Sequence, residues 1–455
     1  MAWNIGANDV SNAMGTSVGS GALTLRKAVI LASILEFCGA FFVGANVSQT
    51  MQKGLINTEY FLIEPNILIL GMCGALLGTG IWLHIASFFG WPVSTTHALV
   101  GAILGFGALV GGLDAIRWEE TLAIVVSWIL SPLLSGIISF LFFTVLQRKI
   151  LFAMNPAEMT KRLLPYLLFI VVGAFTLSLI FNGLENLNLD ISFPMALLFS
   201  ILAGLIAACI GFFLARREPS PDLCFLDHRL TQNVVSLEKA VKHLQRVHIP
   251  SLEETQGRLS SLLSEVKTLS KSLKEKGKFP ERSSEYKTVE KLFVYLQILS
   301  ACFVAFAHGA NDVSNAIGPV AAVLNILKNG ALSESEHIPS WLLAFGGVGI
   351  VIGLATWGWR VIQTIGKKIT ELTPTRGFCA EFGAATTILI ASKMGIPVST
   401  THCLVGAVLG VGIGRGFRAL NLSTVREIAL SWVITIPASA LISILVFFVL
   451  KYVFL

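Results

Sequence analysis

Apolar residues run in long unbroken blocks along most of this chain. Ile67 to Phe89, Leu122 to Leu146, Leu163 to Phe181, Met195 to Leu214 and Ala429 to Phe454 are nearly free of charge. Each matches the ~20 residues that a helix needs to cross a bilayer. Helices of soluble proteins alternate apolar and polar faces every three or four residues, and these blocks do not. A transmembrane barrel would instead show short strands of period two. The pattern therefore predicts an all-α membrane protein with many crossings.

The pattern changes between residues 215 and 290, where Lys, Arg, Asp and Glu crowd together. Apolar residues there fall at Leu230, Val234, Leu237, Val241 and Leu244, and again at Leu252, Leu259, Val266 and Leu273. Spacings of three, four and seven predict two amphipathic helices, broken near Ile249-Pro250 and paired as a hairpin. This stretch reads as a soluble helical insert. The chain then divides into membrane repeat one (1–146), two connecting transmembrane helices (147–214), the charged insert (215–290) and membrane repeat two (291–455).

The repeats are literal. GANDVSN stands at 6–12 and again at 309–315, and VSTTHALVGAILGFG at 93–107 returns as VSTTHCLVGAVLGVG at 398–412. The offsets are 303 and 305 residues, and SWILSP at 127–132 echoes SWVITIP at 431–437. Matching motifs in the same order at nearly one offset indicate duplication. Copy two has an apolar lead-in, Leu292 to Ala307, whereas copy one has only Met1 to Ile5. The first helix of copy one is therefore expected to lack its first half.

Composition and charge sharpen this picture. Only 13% of residues are charged, against about 25% in ordinary domains. With the insert in the cytoplasm, thirteen Lys and Arg fall in loops on its side and four on the other. That bias agrees with the positive-inside rule. It gives an odd number of crossings between the two motif copies, so the copies lie upside down to one another. Inverted repeats around a central site are a common design of secondary transporters. The seven cysteines are scattered, without a CxxC pair, and read as small buried hydrophobes.

Each VSTTH follows a proline, Pro92 or Pro397, where a helix breaks and Ser or Thr caps the next one. The following piece, Ala98 to Gly112, spans only ~22 Å at ~1.5 Å per residue. It is too short to cross, so residues 70–112 and 375–414 are expected to form two re-entrant helical hairpins. Their half-helix N-termini present free N–H groups, the positive dipole end and the hydroxyls of Ser94, Thr95, Thr96, Ser399, Thr400 and Thr401. That combination is an anion site. His97 and His402 read as packing residues.

GANDVSN supplies Asn8, Asp9, Asn311 and Asp312, which are hard oxygen ligands, while Gly6 and Gly309 are expected to loosen the helix. Neither motif has a Lys or Arg beside it. Carboxylates at membrane depth are functional candidates. Opposite a bound anion in a medium of low dielectric they repel it by many kcal/mol, so a cation must enter with the anion. Sodium bound at Asp9 and Asp312 fits the oxygen-rich set, and protons are the other candidate. Glu36 and Glu381 also sit in apolar surroundings and are candidates for the pathway. Their offset of 345 means that they are not repeat equivalents.

At these residues the sequence resembles the PiT family of inorganic phosphate transporters. The two GANDVSN copies match its repeated signature, the two PVSTTH stretches match its second signature, and MGTSVGSGALTLRKAVILASILE at 14–36 is similar to the segment after the first. The resemblance covers both membrane halves. It implies an inverted-repeat phosphate symporter coupled to sodium or protons, with a homodimeric assembly, no cofactor beyond the co-transported cation and no nucleic-acid partner. It carries the signature acids onto Asp9 and Asp312, the phosphate-holding residues onto Ser94–Thr96 and Ser399–Thr401, and the transport acids onto Glu36 and Glu381. The absence of a long targeting extension points to a bacterial inner membrane.

Three other readings are open at this stage. A sulfate permease of the same family would take a similar tetrahedral dianion. A sensor would bind phosphate without moving it. A membrane hydrolase would use Ser94 or Ser399 with His97 or His402, since residues three apart on a helix are neighbours.

Overall fold

A computed structural model describes residues 1–53, 55–61, 64–183, 191–217, 253–276, 282–329, 338–359, 372–416 and 420–455, with four single positions between 237 and 244. Copy one contributes helices α1 (Ala2–Gly19), α2 (Leu25–Val43), α3 (Ala45–Lys53), α4 (Pro65–Phe89), α5 (Thr95–Val110) and α6 (Trp118–Leu146). Helices α7 (Pro156–Gly183) and α8 (Phe193–Arg217) connect it to a charged helix, α9 (Glu253–Lys276). Copy two holds α10 (Arg282–Asn329), α11 (Ser340–Trp357), α12 (Pro374–Lys393), α13 (Thr400–Arg415) and α14 (Leu422–Phe454). Seven of these are long and apolar enough to cross a bilayer, and α2 with α3 makes an eighth candidate bent by 68°. The protein is a multi-pass helical membrane protein.

The predicted helix breaks lie where proline puts them. Helix α4 ends at Gly90, whose φ of 68° suits glycine, and α5 starts three residues after Trp91 at the Ser94 cap. The same break separates α12 from α13, with Gly395 at φ 67°. The second arms have 16 residues each, or ~24 Å. The first arm α4 begins earlier than expected, at Pro65, and its 25 residues are long enough to cross alone. Of the two insert helices, the second is α9, while of the first series Leu237, Val241 and Leu244 are described and helical and Leu230 and Val234 lie outside the described residues.

Gly6 and Gly309 do not loosen their helices. Both α1 and the 48-residue α10 run unbroken through GANDVSN. The glycines instead allow backbones to touch. A methyl group at Gly309 would collide with the Glu36 carbonyl on α2, and one at Gly6 with the Ile350 carbonyl on α11. The reverse contacts exist too, Gly39 against Phe306 and Gly353 against Trp3. Small residues at such crossings are what lets membrane helices pack, because lipid supplies no hydrophobic drive between them. The half-helices follow the same rule. Gly101 of α5 lies on Ile436 of α14, and Gly406 of α13 lies on Pro132 of α6. Every one of these contacts joins one copy to the other.

Gly309→Ala forces α2 and α10 apart and is expected to cost about 1–3 kcal/mol, as overpacked cores do. Gly257→Ala on α9, where nothing lies within 4 Å, is expected to leave stability unchanged or slightly higher. Melting of the detergent-purified variants, compared with the parent chain, checks both outcomes.

Candidate functional site

The site begins at the two hairpin tips. Ser94 caps α5 by accepting from the backbone N–H of His97 at 3.2 Å. Ser399 caps α13 in the same way, accepting from His402 at 3.2 Å. The cap secures one donor of each first turn and leaves others without a helical partner. The tips then cross. Thr96 Oγ1 donates to the Val398 carbonyl at 3.1 Å, and Thr401 Oγ1 donates to the Val93 carbonyl at 3.3 Å. Two helix N-termini, one from each copy, therefore meet in the interior.

The GANDVSN helices pack against these ends. Thr400 Oγ1 donates to Asp312 Oδ2 at 2.9 Å. Asp9 and Asp312 are fully buried and offer ligand atoms, together with His308, that lie within 4.8 Å of one another. Asn8 donates to Ser87 Oγ at 3.0 Å and to the Trp91 carbonyl at 3.3 Å, which ties α1 to the break between α4 and α5. Asn311 holds the matching place beside Ser392 Oγ at 3.3 Å, on α12. Asn8 and Asn311 thus brace the tips, while the threonines and aspartates line the centre.

Two further polar residues were missed by motif reading. Asn12 and Asn315, the last letters of the two motifs, reach across the copies. Asn12 Nδ2 donates to Thr401 Oγ1 at 2.8 Å, and Asn315 Nδ2 donates to Thr96 Oγ1 at 3.3 Å. Helical spacing was the available signal, since each lies three residues after its aspartate and shares that face.

His308 is a partner of the acids that motif reading did not name. Its Nε2 lies 2.9 Å from Asp312 Oδ2, one helical turn on, and its Nδ1 lies 3.2 Å from Glu36 Oε1. Glu36 thereby joins the central cluster through an imidazole. The matching places in the other copy are Ile5 and Ile350, set by the same pair of glycine contacts. The centre is therefore symmetric in its hydroxyls and asymmetric in its charges.

Glu381 does not join the centre. It sits fully buried in a cage of its own. Thr16, Ser17 and Gln297 donate to Oε1, Ser17 at 2.7 Å and Gln297 at 3.3 Å, and Ser300 donates to Oε2. Thr16 lies two turns beyond Asp9 on α1, or ~10 Å. The cage places three hydroxyls and one amide around the carboxylate, with no Lys or Arg of the described residues in hydrogen-bond contact.

His97 and His402 are stacked rather than aimed at the serines. The rings of Trp128, His97, His402 and Trp432 follow one another with centroids 3.8, 4.4 and 3.5 Å apart. Both serine hydroxyls accept from backbone N–H instead of donating to an imidazole. The serine–histidine pair that a hydrolase needs is absent at both places.

In chemical terms, the free N–H groups of two helix N-termini, framed by the threonines, offer hydrogen bonds to an oxyanion, while the adjoining carboxylates offer hard oxygen to a cation. Comparison with known proteins bears on the family. The phosphate transporter family model matches residues 5–443. The chain is 43% identical over 447 residues to the chloroplastic inorganic phosphate transporter 2-1 of Arabidopsis thaliana, covering 98% of this chain and 69% of that protein. A solved structure described as the sodium-dependent phosphate transporter is similar with a TM-score of 0.76 at 34% identity, over 99% of this chain and 96% of the other. With the match running through both motif copies and nearly the whole chain, the protein belongs to the phosphate transporter family, a family of transporters and not of enzymes.

Proposed function

We propose that this protein is a secondary transporter that moves inorganic phosphate together with sodium through an alternating-access site between its two copies. The observation that carries this reading is the crossing of two capped helix N-termini directly against two buried carboxylates. Phosphate is assigned to the threonine side, Thr95, Thr96, Thr400 and Thr401, with Ser94 and Ser399 keeping the first turns in shape. N–H and O–H donors hold an anion without a fixed positive charge, so release stays possible. Sodium is assigned to Asp9 and Asp312, with Asn8 and Asn311 beside them.

The coupling follows from electrostatics. A phosphate dianion beside two bare carboxylates in a low-dielectric interior is repelled strongly, and a bound cation removes the repulsion. Each ligand therefore raises the affinity for the other. Sodium is favoured over protons because oxygen donors dominate the set and because the similar solved structure is described as sodium-dependent. Glu36 acts on this centre through His308. The Glu381 cage, rich in hydroxyl oxygens, serves as a further cation site on the pathway. The Lys and Arg asymmetry of the loops supports a cytoplasmic insert, with the membrane taken as a bacterial inner membrane and the assembly as a homodimer.

Uptake of radiolabelled phosphate into proteoliposomes tests the reading, with a sodium gradient and a pH gradient imposed separately. Sodium alone is expected to drive accumulation. Uptake driven only by the pH gradient overturns sodium coupling, and folded protein without flux overturns transport. Asp9→Asn and Asp312→Asn are each expected to cut sodium-driven uptake by about tenfold or more, the factor that ~1.4 kcal/mol of lost coupling gives. Unchanged sodium dependence in both variants removes the aspartates from the cation site. Glu381→Gln is expected to raise the sodium concentration for half-maximal uptake by about tenfold while shifting that for phosphate less. A shift in phosphate alone assigns Glu381 to the anion instead.

A further inference from the structure

Asn12 and Asn315 are 2% and 0% exposed, and the Oδ1 atom of each has no hydrogen-bond partner. The orientation of each amide follows from the crossing of the hairpin tips. A hydroxyl has one proton to give. Thr401 gives its proton to the Val93 carbonyl, so it can only accept from Asn12, at 2.8 Å. Thr96 gives its proton to the Val398 carbonyl, so it can only accept from Asn315, at 3.3 Å. The Asn12 nitrogen also lies 3.3 Å from Asp9 Oδ1, where an amide oxygen would be repelled. Each amide therefore turns its nitrogen to the threonine and leaves its oxygen as an acceptor without a donor. A buried acceptor left unpaired costs stability, and here the same arrangement recurs in both copies.

We infer that Asn12 and Asn315 are the selectivity residues of the site, their amide oxygens accepting the P–OH protons of bound phosphate and so excluding sulfate. The inference rests on the phosphate reading of the site. Near neutral pH phosphate keeps one or two protons, whereas sulfate keeps none. Hydrogen phosphate satisfies one of the two oxygens and dihydrogen phosphate satisfies both. Sulfate has only lone pairs to set against them, and it leaves both acceptors unpaired. A site built to bond a substrate hydroxyl rejects an analogue that lacks it by roughly 10⁴-fold or more. The N–H groups of the helix N-termini, being donors, treat the two oxyanions alike, so the discrimination falls to the asparagines.

The test is competition in sodium-driven proteoliposome uptake. Labelled phosphate is measured against unlabelled sulfate for the parent chain, Asn12→Ala, Asn315→Ala and the double variant. The parent is expected to ignore a roughly 100-fold excess of sulfate, within the discrimination such a site gives. In the variants the ratio of sulfate inhibition to phosphate half-saturation is expected to narrow by about 100-fold or more. A narrowed ratio at an unchanged sodium requirement supports the inference. An unchanged ratio overturns it, and an unchanged ratio with a raised sodium requirement makes these oxygens cation ligands instead. Thermal stabilisation of the purified protein by phosphate and by sulfate, in saturating sodium, scores any variant that binds without cycling, and equal loss of both overturns the inference. Parent protein that sulfate blocks also overturns it, whereas parent protein that moves no phosphate refutes the functional reading on which it stands.

Discussion

Everything at the centre of this molecule depends on backbone that two prolines leave unpaired. Pro92 and Pro397 end one helix and force another to begin deep in the chain's apolar interior. There is no water in such a place to satisfy the new N–H groups. The serine caps satisfy one in each turn, and the crossing threonines fix each tip against the carbonyls of the other. What remains is donor capacity aimed inward. An anion that can leave again answers it better than a permanent side-chain carboxylate.

The carboxylates are present all the same, and they give the site its dependence on a second ligand. The two copies are not identical in how they hold them. Asp312 is flanked by His308 and, through it, by Glu36, whereas Asp9 has apolar residues at the matching positions. A single imidazole between two buried acids gives one half of the pocket a fixed arrangement of charge that the other half lacks. Glu381 departs from the symmetry as well, since its counterpart 305 residues earlier is Leu76.

Much of this was legible in the sequence because motifs and breaks are local. The duplicated GANDVSN and PVSTTH stretches, the prolines with following caps and the long apolar blocks each announce themselves within a few residues. The first hairpin arm was read too short because the apolar run hides the helix start at Pro65. Other features were not legible because they are made between helices. Gly309 read as a loosening residue, since a lone sequence cannot show the Glu36 carbonyl against it. His308 was not singled out, because only the packing of α2 on α10 brings Glu36 to its far nitrogen. The partners of Glu381 come from two other helices, and no spacing along the chain connects Ser17, Ser300 and Glu381. Asn12 and Asn315 stood inside a recognised motif, yet their partners lie on the opposite copy.

The glycine contacts also determine how the molecule divides. Gly309 on α10 belongs to copy two and touches α2 of copy one, while Gly6 on α1 touches α11 of copy two. The half-helices repeat the exchange, α5 lying on α14 and α13 on α6. A cut between the two copies would part every one of these backbone contacts at once. The packed groups of helices in this fold are therefore chimeric, each drawing on both motif copies. Their grouping in space does not follow the boundary written in the sequence.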